Sequence, residues 1–400
     1  MSKWKRTTIA ELARGIRGVS YNPDDLKLIA DNSDSILLRA NNIQNDRLIL
    51  DDIQILPKQF VTKRQFAQNG DIIVCMSNGS KLLVGKNAII YNKNNGDYTV
   101  GAFCSLFRPN TLLNASFVFY IFQSEAYQKA IDILLSGSTI NNLTNKSIEN
   151  IALYIPVLTT EQCKIAEILT TVDEAIDNSR TLIEKHINIK TGMMQDLLLN
   201  SNWEYGFFSD LVDINPPTYK TIHFSKEVDF IPMQDINENG VWDIRETRLA
   251  KNCMKGFTVF TENDVLFAKI TPCMENGKGC IVKGLRYGIG FGSTEFHVLR
   301  AKANADPRFV YQWSIFPYLR EKAIAFMIGS AGQQRVSVDF FQKFRIKIPP
   351  KTEQQFISDQ LTAVDKKIQV EHDYLAKLLD IKKGLMKDLL TNTISVDSLL

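Results

Sequence analysis

Asn215-Pro216-Pro217 is the stretch of the sequence whose residue types most directly suggest chemistry. An Asn-Pro-Pro-aromatic signature is typical of active sites that methylate adenine in DNA, where the aromatic ring stacks on a flipped-out base. Here the fourth position is Thr218, and Tyr219 comes one residue late. Two prolines also fix the backbone and push the residue before each of them into an extended conformation. We therefore favour a rigid loop and predict that this segment transfers no methyl group.

Other stretches that imitate catalytic or cofactor motifs lack the context that such motifs need. The segment GIGFGS (288–293) is followed by a strand-like run, so it predicts a strand-edge turn rather than a nucleotide-binding turn. NGSKLLVGKN (78–87) resembles a phosphate loop, but Asn87 stands where a hydroxyl would bind magnesium. The four histidines (186, 223, 297 and 372) are far apart, and no set of ligands has zinc spacing. The sequence predicts a non-catalytic chain with no metal site.

The composition is compatible with binding to nucleic acid but does not by itself indicate it. The chain has 400 residues, 44% of them hydrophobic and 23% charged, with a net charge of +3. These fractions are typical of a globular protein, and the length allows two or three domains. The net positive charge is smaller than that of most proteins that bind DNA on their own. Its six cysteines are scattered, which favours reduced thiols in a cytoplasmic protein. No signal peptide or membrane span is expected.

The chain contains an internal repeat. Residues 161–198 match residues 353–390 without a gap at an offset of 192, and about two positions in five are identical. Weaker matches continue upstream, where Gly137-Ser138 corresponds to Gly329-Ser330 and Gly85-Lys86 to Gly277-Lys278. The order is therefore domain, helix, related domain, related helix.

The two repeated segments have the apolar spacing of long, coiled-coil helices. The residues predicted to pair the helices are Ile165, Leu169, Val172 and Ile176 in the first and Ile357, Leu361, Val364 and Ile368 in the second. About 38 residues at 1.5 Å each give a rod of roughly 57 Å. Ser179, His186 and Lys190 interrupt the first stripe, so looser pairing is expected along its C-terminal half. We expect the two helices to pair antiparallel within one chain; a parallel coiled coil between two chains is the alternative.

Short β-like runs and amphipathic helices alternate in the segments outside the long helices, which predicts an α+β fold for each domain. The expected architecture is two similar domains separated by two long helices that form an antiparallel coiled coil. The predicted boundaries are 1–155 for the first domain, 156–200 for the first helix, 201–348 for the second domain, 349–392 for the second helix and 393–400 for a tail.

Taken together, these motifs resemble the DNA specificity subunit of a Type I restriction-modification system. The resemblance rests on EQCKIAEILTTVDEAI and its twin EQQFISDQLTAVDKKI, on the helix ends GMMQDLL and GLMKDLL, and on the Gly-Ser loops before each helix. It covers essentially the whole chain. It implies that 1–155 and 201–348 are target-recognition domains and that 156–200 and 349–392 are spacer helices.

The resemblance also implies a function and partners. Such subunits have no active site; they read a split sequence in double-stranded DNA and recruit two adenine methyltransferase subunits. S-adenosylmethionine would bind to those partners, and no cofactor to this chain. Translocating nuclease subunits would complete an antiphage defence that cuts unmethylated DNA. The duplicated chain fits this scheme, because it offers two similar surfaces to two copies of one partner.

Base edges are read by Arg, Lys, Asn, Gln, Ser and Thr on projecting loops, and two such loops follow the Gly-Ser pairs. The residues that we predict first are Thr139, Asn141, Asn142 and Lys146 in one domain and Gln333, Gln334 and Arg335 in the other. A second group comprises Arg39, Asn41, Asn42, Ser77, Asn78, Lys81 and Lys86, with Gln234, Lys269, Thr271 and Lys278 in the other domain. For each of them, a polar turn residue that meets only water is the alternative.

Two other functions fit parts of the pattern. A coiled-coil scaffold with protein- or glycan-binding domains would explain the helices and the modest charge, but not the polar loop at the same place in both halves. The recognition part of a cut-and-methylate enzyme of another restriction type is the other alternative. A neighbouring gene for an adenine methyltransferase would discriminate among the three.

Overall fold

The chain forms two compact units, each described here by itself from a computed structural model. Unit 1 comprises Met1–Arg180 and Tyr374–Leu400, and unit 2 comprises Thr181–Asp373. The structure describes residues 4–91, 97–110, 113–136, 141–199, 202–217, 222–223, 225–236, 240, 242, 246–330, 332–391 and 393. Each unit therefore holds one predicted domain together with part of both long helices.

Unit 1 alternates short strands with short helices before the first long helix. Its strands are β1 (Trp4–Thr8), β2 (Ala13–Arg17), β3 (Asp34–Leu38), β4 (Ile43–Gln44), β5 (Arg47–Leu48), β6 (Gln54–Pro57), β7 (Ile72–Cys75), β8 (Asn87–Ile89), β9 (Tyr98–Val100), β10 (Cys104–Pro109) and β11 (Ala152–Pro156). Its helices are α1 (Ile9–Leu12), α2 (Ala115–Phe122), α3 (Glu125–Ser136) and α4 (Asn145–Glu149), and α5 (Thr159–Leu199) follows.

Unit 2 repeats this arrangement. Its strands are β12 (Tyr205–Phe207), β13 (Val212–Ile214), β14 (Glu227–Ile231), β15 (Glu246–Leu249), β16 (Thr258–Thr261), β17 (Val265–Ala268), β18 (Gly279–Ile281), β19 (Ile289–Gly292), β20 (Phe296–Ala301), β21 (Met327–Ile328), β22 (Arg335–Val336) and β23 (Arg345–Lys347). Its helices are α6 (Pro307–Ile315), α7 (Pro317–Ile324) and α8 (Val338–Lys343), and the second long helix is α9 (Lys351–Leu390).

The sheets of the two units share one plan. A sheet in the order β2-β10-β7-β8 in unit 1 corresponds to β13-β20-β17-β18 in unit 2. A second sheet contains one parallel pair in each unit, β3 with β9 and β14 with β19, among antiparallel neighbours. The first strand of each domain pairs with its last, β1 with β11 and β12 with β23. The α+β prediction for both domains is confirmed.

A buried ion pair recurs at the same place in the two main sheets. Arg108 on β10 donates two bonds to Asp71, whose side chain also accepts the Gln68 amide at 2.8 Å. Arg300 on β20 does the same with Asp264, and this hydrogen bonding raises the pKa of the Arg300 guanidinium. Each pair ties the turn before a central strand to the neighbouring strand, so it belongs to the repeated frame.

The long helices pair antiparallel. In unit 1, Ile165 and Leu169 near the start of α5 share a buried core with Leu389 at the end of α9. In unit 2, Met194 and Leu198 near the end of α5 share a core with Ile357 and Leu361 near the start of α9. In each unit the start of one helix packs with the end of the other, which confirms antiparallel pairing within the chain. Of the other predicted pairing residues, Ile176 and Ile368 are buried, whereas Val172 and Val364 are half-buried.

Residues 184–193 of α5 include no buried residue, which agrees with the expected looser pairing along its C-terminal half. Lys190, which interrupts the apolar stripe, forms an ion pair with Asp365 of α9 at 2.6 Å. The equivalent pair in unit 1 joins Asp173 of α5 to Lys382 of α9 at 2.8 Å. A charged residue in the stripe is therefore a cross-helix contact, and the apolar contacts resume beyond it at Met194.

The repeated Gln at the start of each long helix anchors it to the strand before it. Gln162 donates to the carbonyl of Pro156 at 2.9 Å, and Gln354 donates to that of Pro349 at 2.9 Å. This contact gives a physical reason for one of the identities in the repeat.

The glycine-rich segment 288–293 is a strand and not the predicted strand-edge turn. Its central part is β19, which lies between β14 and β16 in their sheet. A Cβ atom on Gly290 would approach the Phe260 ring to 2.4 Å, so glycine is required for sheet packing. Within the described ranges, no helix is both long and apolar enough to cross a membrane, and no three His, Cys, Asp or Glu residues are grouped to hold a metal ion.

Candidate nucleic-acid interface

In unit 1, the structure brings together two loops that contain predicted DNA-contacting residues. Ser77, after β7, forms an antiparallel bridge with Asn142, which precedes α4. The Asn78 amide donates to the carbonyl of Asn141 at 3.4 Å, and the Asn141 side chain donates to Gly79 at 3.2 Å. We name Ser77, Asn78, Asn141 and Asn142 loop cluster 1. Lys81 is exposed shortly after the first loop and Lys146 is exposed in the first turn of α4, whereas Thr139 lies outside the described residues.

Unit 2 contains the same arrangement. Ile270 forms an antiparallel bridge with Arg335, and the Thr271 amide donates to the carbonyl of Gln334 at 3.0 Å. Both contacts repeat those of unit 1 with each partner shifted by 193 residues. We name Lys269, Thr271, Gln334 and Arg335 loop cluster 2. Gln333 is exposed beside it. The repeated backbone frame thus carries different side chains in the two units.

Three more predicted residues of unit 1, Arg39, Asn41 and Asn42, lie in a separate turn. Arg39 forms an ion pair with Asp52 at 3.0 Å, and the Asn41 amide group donates to the same carboxylate at 2.6 Å. Asn42 is only 1% exposed, and its amide group donates to the carbonyls of Ile49 and Asp52. Because the Asn42 side chain is buried and hydrogen-bonded inside the domain, we do not include it in the proposed interface.

Three further predicted residues differ in their exposure and in their hydrogen bonds within the domain. Lys86 donates to the carbonyl of Ile43 at 2.8 Å, so we also leave it out of the proposed interface. Lys278 is half-buried, and its carbonyl accepts bonds from the Ala268 amide and from Arg320. Gln234 is exposed on the short helical turn Met233–Asp235.

Loop cluster 2 contains a charged group that the sequence analysis did not identify. Arg335 donates from Nε and Nη2 to the two carboxylate oxygens of Glu295, both at 2.8 Å, and from Nη1 to the carbonyl of Gln333 at 3.1 Å. This bonding lowers the pKa of Glu295 and raises that of Arg335. Burial lowers the pKa of the neighbouring Lys269, which Glu295 partly offsets. No sequence motif singles out Glu295, since its partner lies 40 residues away.

Asn215, the first residue of the Asn-Pro-Pro motif, forms hydrogen bonds that connect β13 and β20 to the loop that carries Arg335. It has a positive φ of 50°, its amide donates to the carbonyl of Val298 at 2.7 Å, and its Oδ1 accepts the Val298 amide at 2.9 Å. Its Nδ2 lies 3.0 Å from Nδ1 of His297, whose Nε2 lies 2.8 Å from the carbonyl of Val336. An amide nitrogen can only donate, so His297 accepts at Nδ1 and donates from Nε2.

This chain of bonds answers the question that the motif raised. The Asn215 side chain donates to His297 on β20, and His297 donates to the carbonyl of Val336, the residue after Arg335. The Asn215 side chain is therefore occupied by contacts within the domain. The segment is a loop, but Asn215 is left-handed and not extended as the proline after it predicts. Thr218 and Tyr219 lie outside the described residues. Burial lowers the pKa of His297, which keeps the ring neutral near pH 7.

A buried arginine supports the other loop of loop cluster 2. Arg320 on α7 is almost fully buried and donates to the carbonyls of Ser314, Met274 and Lys278 at 2.6, 3.1 and 3.1 Å. It lies over the ring of Phe267 at 3.7 Å. Burial lowers its pKa to about 9, and the nearby Tyr311 and Glu275 offset only part of this shift. Sequence reasoning missed Arg320 because an arginine in an amphipathic helix predicts an exposed position.

Comparisons with known proteins show the family of the chain. A family model described as Type I restriction modification DNA specificity domain matches residues 1–186 and again 200–380. Over 200 residues the chain is 35% identical to the type I restriction enzyme EcoEI specificity subunit of Escherichia coli, covering 46% of this chain and 33% of that one. It is 33% identical over 182 residues to the EcoKI specificity subunit of E. coli K12, covering 46% and 39%. The matched regions thus span about a third to two fifths of those relatives.

Solved structures show the same fold. The S subunit of a Type I restriction-modification system from M. genitalium aligns over 97% of this chain and 96% of its own, with a TM-score of 0.58 and 14% identity. A chain from a study of type I R-M complex assembly aligns over 97% of both chains, with a TM-score of 0.54 and 13% identity. The family model covers nearly the whole sequence in two copies, one for each recognition domain. The chain therefore belongs to the family of Type I restriction-modification DNA specificity proteins.

Proposed function

We propose that each unit reads one half of a bipartite DNA target through its own loop cluster. The observation that supports this most directly is the repeated backbone frame. The same contacts, Asn78 with Asn141 and Thr271 with Gln334, place two polar loops side by side in both units. Projecting Asn, Gln and Arg side chains have the donors and acceptors that read base edges in the major groove.

The side chains of the two clusters differ, which is what two different half-sites require. Loop cluster 1 offers three asparagine amide groups, and bidentate contacts from Asn favour adenine. Loop cluster 2 offers Gln334 and Arg335, which favour adenine and guanine. Lys81 and Lys146 are placed to meet phosphates, a contact that raises affinity for every sequence. The modest net charge of +3 then implies that partners supply further phosphate contacts.

The long helices set the spacing between the half-sites and bind two adenine methyltransferase subunits. A chain with an internal two-fold repeat offers two similar surfaces, as a symmetric pair of partners needs. Those partners bind S-adenosylmethionine and methylate adenine, and translocating nuclease subunits add restriction. The complex works in the cytoplasm, and the described cysteines are free thiols. The family assignment favours this function over a coiled-coil scaffold that binds proteins or glycans.

Mapping methylated adenines in the host genome tests the proposal. Deleting the gene should abolish methylation at one split motif, and restoring it should restore that motif alone. The purified chain without partners should transfer no methyl group. Methylation by the single chain, or a methylation pattern unchanged by the deletion, would overturn the proposal.

Exchange of one domain tests whether the units read independently. Replacing residues 1–155 by the same region of a relative should change one half of the methylated motif and leave the other half unchanged. The reason is that loop cluster 1 lies wholly within that segment, whereas loop cluster 2 lies wholly outside it. A change in both halves, or in neither, would contradict the assignment of one half-site to each unit.

A further inference from the structure

The Arg335–Glu295 pair leaves two N–H donors of the guanidinium unoccupied by the bonds described above. Arginine has five N–H donors in a planar fork. Glu295 accepts one from Nε and one from Nη2, and the carbonyl of Gln333 accepts one from Nη1. One donor therefore remains on each terminal nitrogen. The Arg335 side chain is 41% exposed, so this end of the fork is accessible.

One remaining donor on each terminal nitrogen matches the number of acceptors that guanine presents. Guanine presents two acceptors, N7 and O6, in the major groove, whereas adenine places an N–H donor where guanine has O6. A guanidinium that is already held by a carboxylate loses less side-chain freedom when it binds, because its orientation is fixed beforehand. The pair thus has the geometry of a pre-oriented guanine reader.

The equivalent position in unit 1 argues against a purely structural role for this pair. Phe103 there accepts the Met76 amide at its carbonyl at 2.8 Å, as Glu295 accepts the Lys269 amide at 2.9 Å. The bridge partner equivalent to Arg335 is Asn142. The Phe103 side chain is 71% exposed. The same backbone frame therefore forms in unit 1 without an ion pair at this position.

The ion pairs within the two main sheets differ from the Arg335–Glu295 pair in this respect. Arg108 with Asp71 and Arg300 with Asp264 occur in both units, as expected of contacts that the fold needs. The Arg335–Glu295 pair occurs in unit 2, where the equivalent residues of unit 1 are Asn142 and Phe103. Side chains that vary on a constant frame are those that give two domains two different targets.

We propose that Glu295 is a positioning residue that aims Arg335 at a guanine in the half-site read by unit 2. This inference rests on the proposed function and adds one base of the target and the residue pair that selects it. Glu295 itself accepts from Arg335 and touches no base.

The test selects bound sequences from a pool of randomised DNA duplexes. It uses the full chain reconstituted with the adenine methyltransferase subunits of its host, in the natural form and as the variants Arg335→Ala, Glu295→Ala and Glu295→Gln. The control is Asp339→Asn, which removes an exposed ion pair with Lys343 elsewhere in unit 2. The readout is base preference at each position of both half-sites.

Arg335→Ala should lower the preference for guanine at one position of one half-site by roughly 5- to 150-fold, the range for a bidentate base contact. Glu295→Ala should lower the preference at that same position by about 2- to 10-fold, the cost of fixing one flexible side chain on binding. Glu295→Gln keeps one acceptor and should fall between Glu295→Ala and the natural chain. The other half-site, and all positions with Asp339→Asn, should keep their preferences.

Several outcomes would overturn the inference. Equal weakening on all sequences, with base preferences unchanged, would make the pair a structural contact. Loss of preference in both half-sites would mean that the variants disturb the fold, and unchanged binding would remove Arg335 from the interface. These results leave the proposed function standing, because the natural complex would still select a split motif. If the natural complex selects no motif, both the proposed function and this inference fail.

Discussion

At the scale of single residues, the most suggestive motif of the sequence has a structural role. Asn215 uses its backbone amide, both side-chain groups and a left-handed backbone conformation to connect β13, β20 and, through His297, Val336. Asn tolerates a positive φ better than most residues, which explains its presence at this turn. The motif thus supports the loop that carries Arg335.

Replacing Asn215 should weaken unit 2 without abolishing methylation. Asn215→Ala leaves the Val298 amide and Nδ1 of His297 without their partner, at a cost of about 1–3 kcal/mol in the free energy of unfolding. Denaturant unfolding measures this loss, and mapping of methylated sites by the reconstituted complex should show the same motif. Complete loss of methylation by a variant that remains folded would assign Asn215 a role in the reaction.

His297 should make the stability of unit 2 depend on pH. Burial holds its pKa below the ordinary value of 6.5, with Lys269 lowering it and Glu295 partly offsetting the shift. Well above pH 6.5 both the folded and the unfolded chain hold a neutral ring, so this group adds no pH dependence there. Below that pH the unfolded chain takes up the proton first, so the stability of unit 2 falls as the pH is lowered.

The pH dependence is measured as the urea midpoint between pH 7.5 and 5.5. The natural chain should lose more stability over this range than His297→Gln, which cannot titrate. His223→Gln, at an exposed position, serves as the control and should follow the natural chain. Equal slopes for the natural chain and His297→Gln would contradict the prediction.

At the scale of elements, the sequence was most informative where contacts are periodic or local. The apolar stripe and the repeat predicted both long helices and their antiparallel pairing. The strand-like runs predicted β3, β7, β8, β14, β17 and β18. The sequence predicted the polar residues of the loop clusters but not that the two loops of each cluster touch, because the partners lie 63 to 65 residues apart. Glu295, His297 and Arg320 were missed for the same reason, since their roles depend on what the fold places beside them.

The two cross-helix ion pairs show that a charged residue in the apolar stripe can still contact the other helix. Lys190 looked like a break in the apolar stripe of α5, yet its ε-amino group meets Asp365 on α9. Gln312 donates to the other oxygen of Asp365 at 2.9 Å, and in unit 1 Tyr120 donates to Asp173 at 2.8 Å. Each contact fixes the register of a helix pair and ties it to its domain.

The Lys190–Asp365 and Lys382–Asp173 pairs should contribute similar coupling energies. A double-mutant cycle with Lys190→Ala and Asp365→Ala should give about 1 kcal/mol in the free energy of unfolding, since both side chains are largely shielded from solvent. The matched cycle with Lys382→Ala and Asp173→Ala should give a similar value. Coupling near zero in both cycles would show that burial of the neighbouring apolar residues alone sets the register.

At the scale of the whole molecule, the units do not follow the linear order of domains and helices. α5 passes from unit 1 to unit 2 after Arg180, and α9 passes back after Asp373. Each unit thus contains the start of one long helix and the end of the other. The two crossing points are where a change in helix length would leave the packing within both units intact.

Insertion of one heptad after Arg180 and one after Asp373 should lengthen the unread spacer of the DNA target. Seven residues add about 10 Å of helix, and this corresponds to roughly three base pairs at about 3.4 Å each. A seven-residue insertion keeps the apolar stripe in register, so the helices should still pair. Sequencing the sites methylated by the complex measures the spacer. An unchanged spacer in a folded, active variant would show that the helices do not set it.

The interleaved units also determine the order in which the protein can be completed on the ribosome. Unit 2 is a continuous segment, Thr181–Asp373, whereas the core of unit 1 includes Leu389 and Leu390. The amino-terminal domain, although synthesised first, must wait for the whole of unit 2 before its last core residues emerge from the exit tunnel. A nascent chain stalled after unit 2 would then protect the second domain from protease while the first remains open to cleavage.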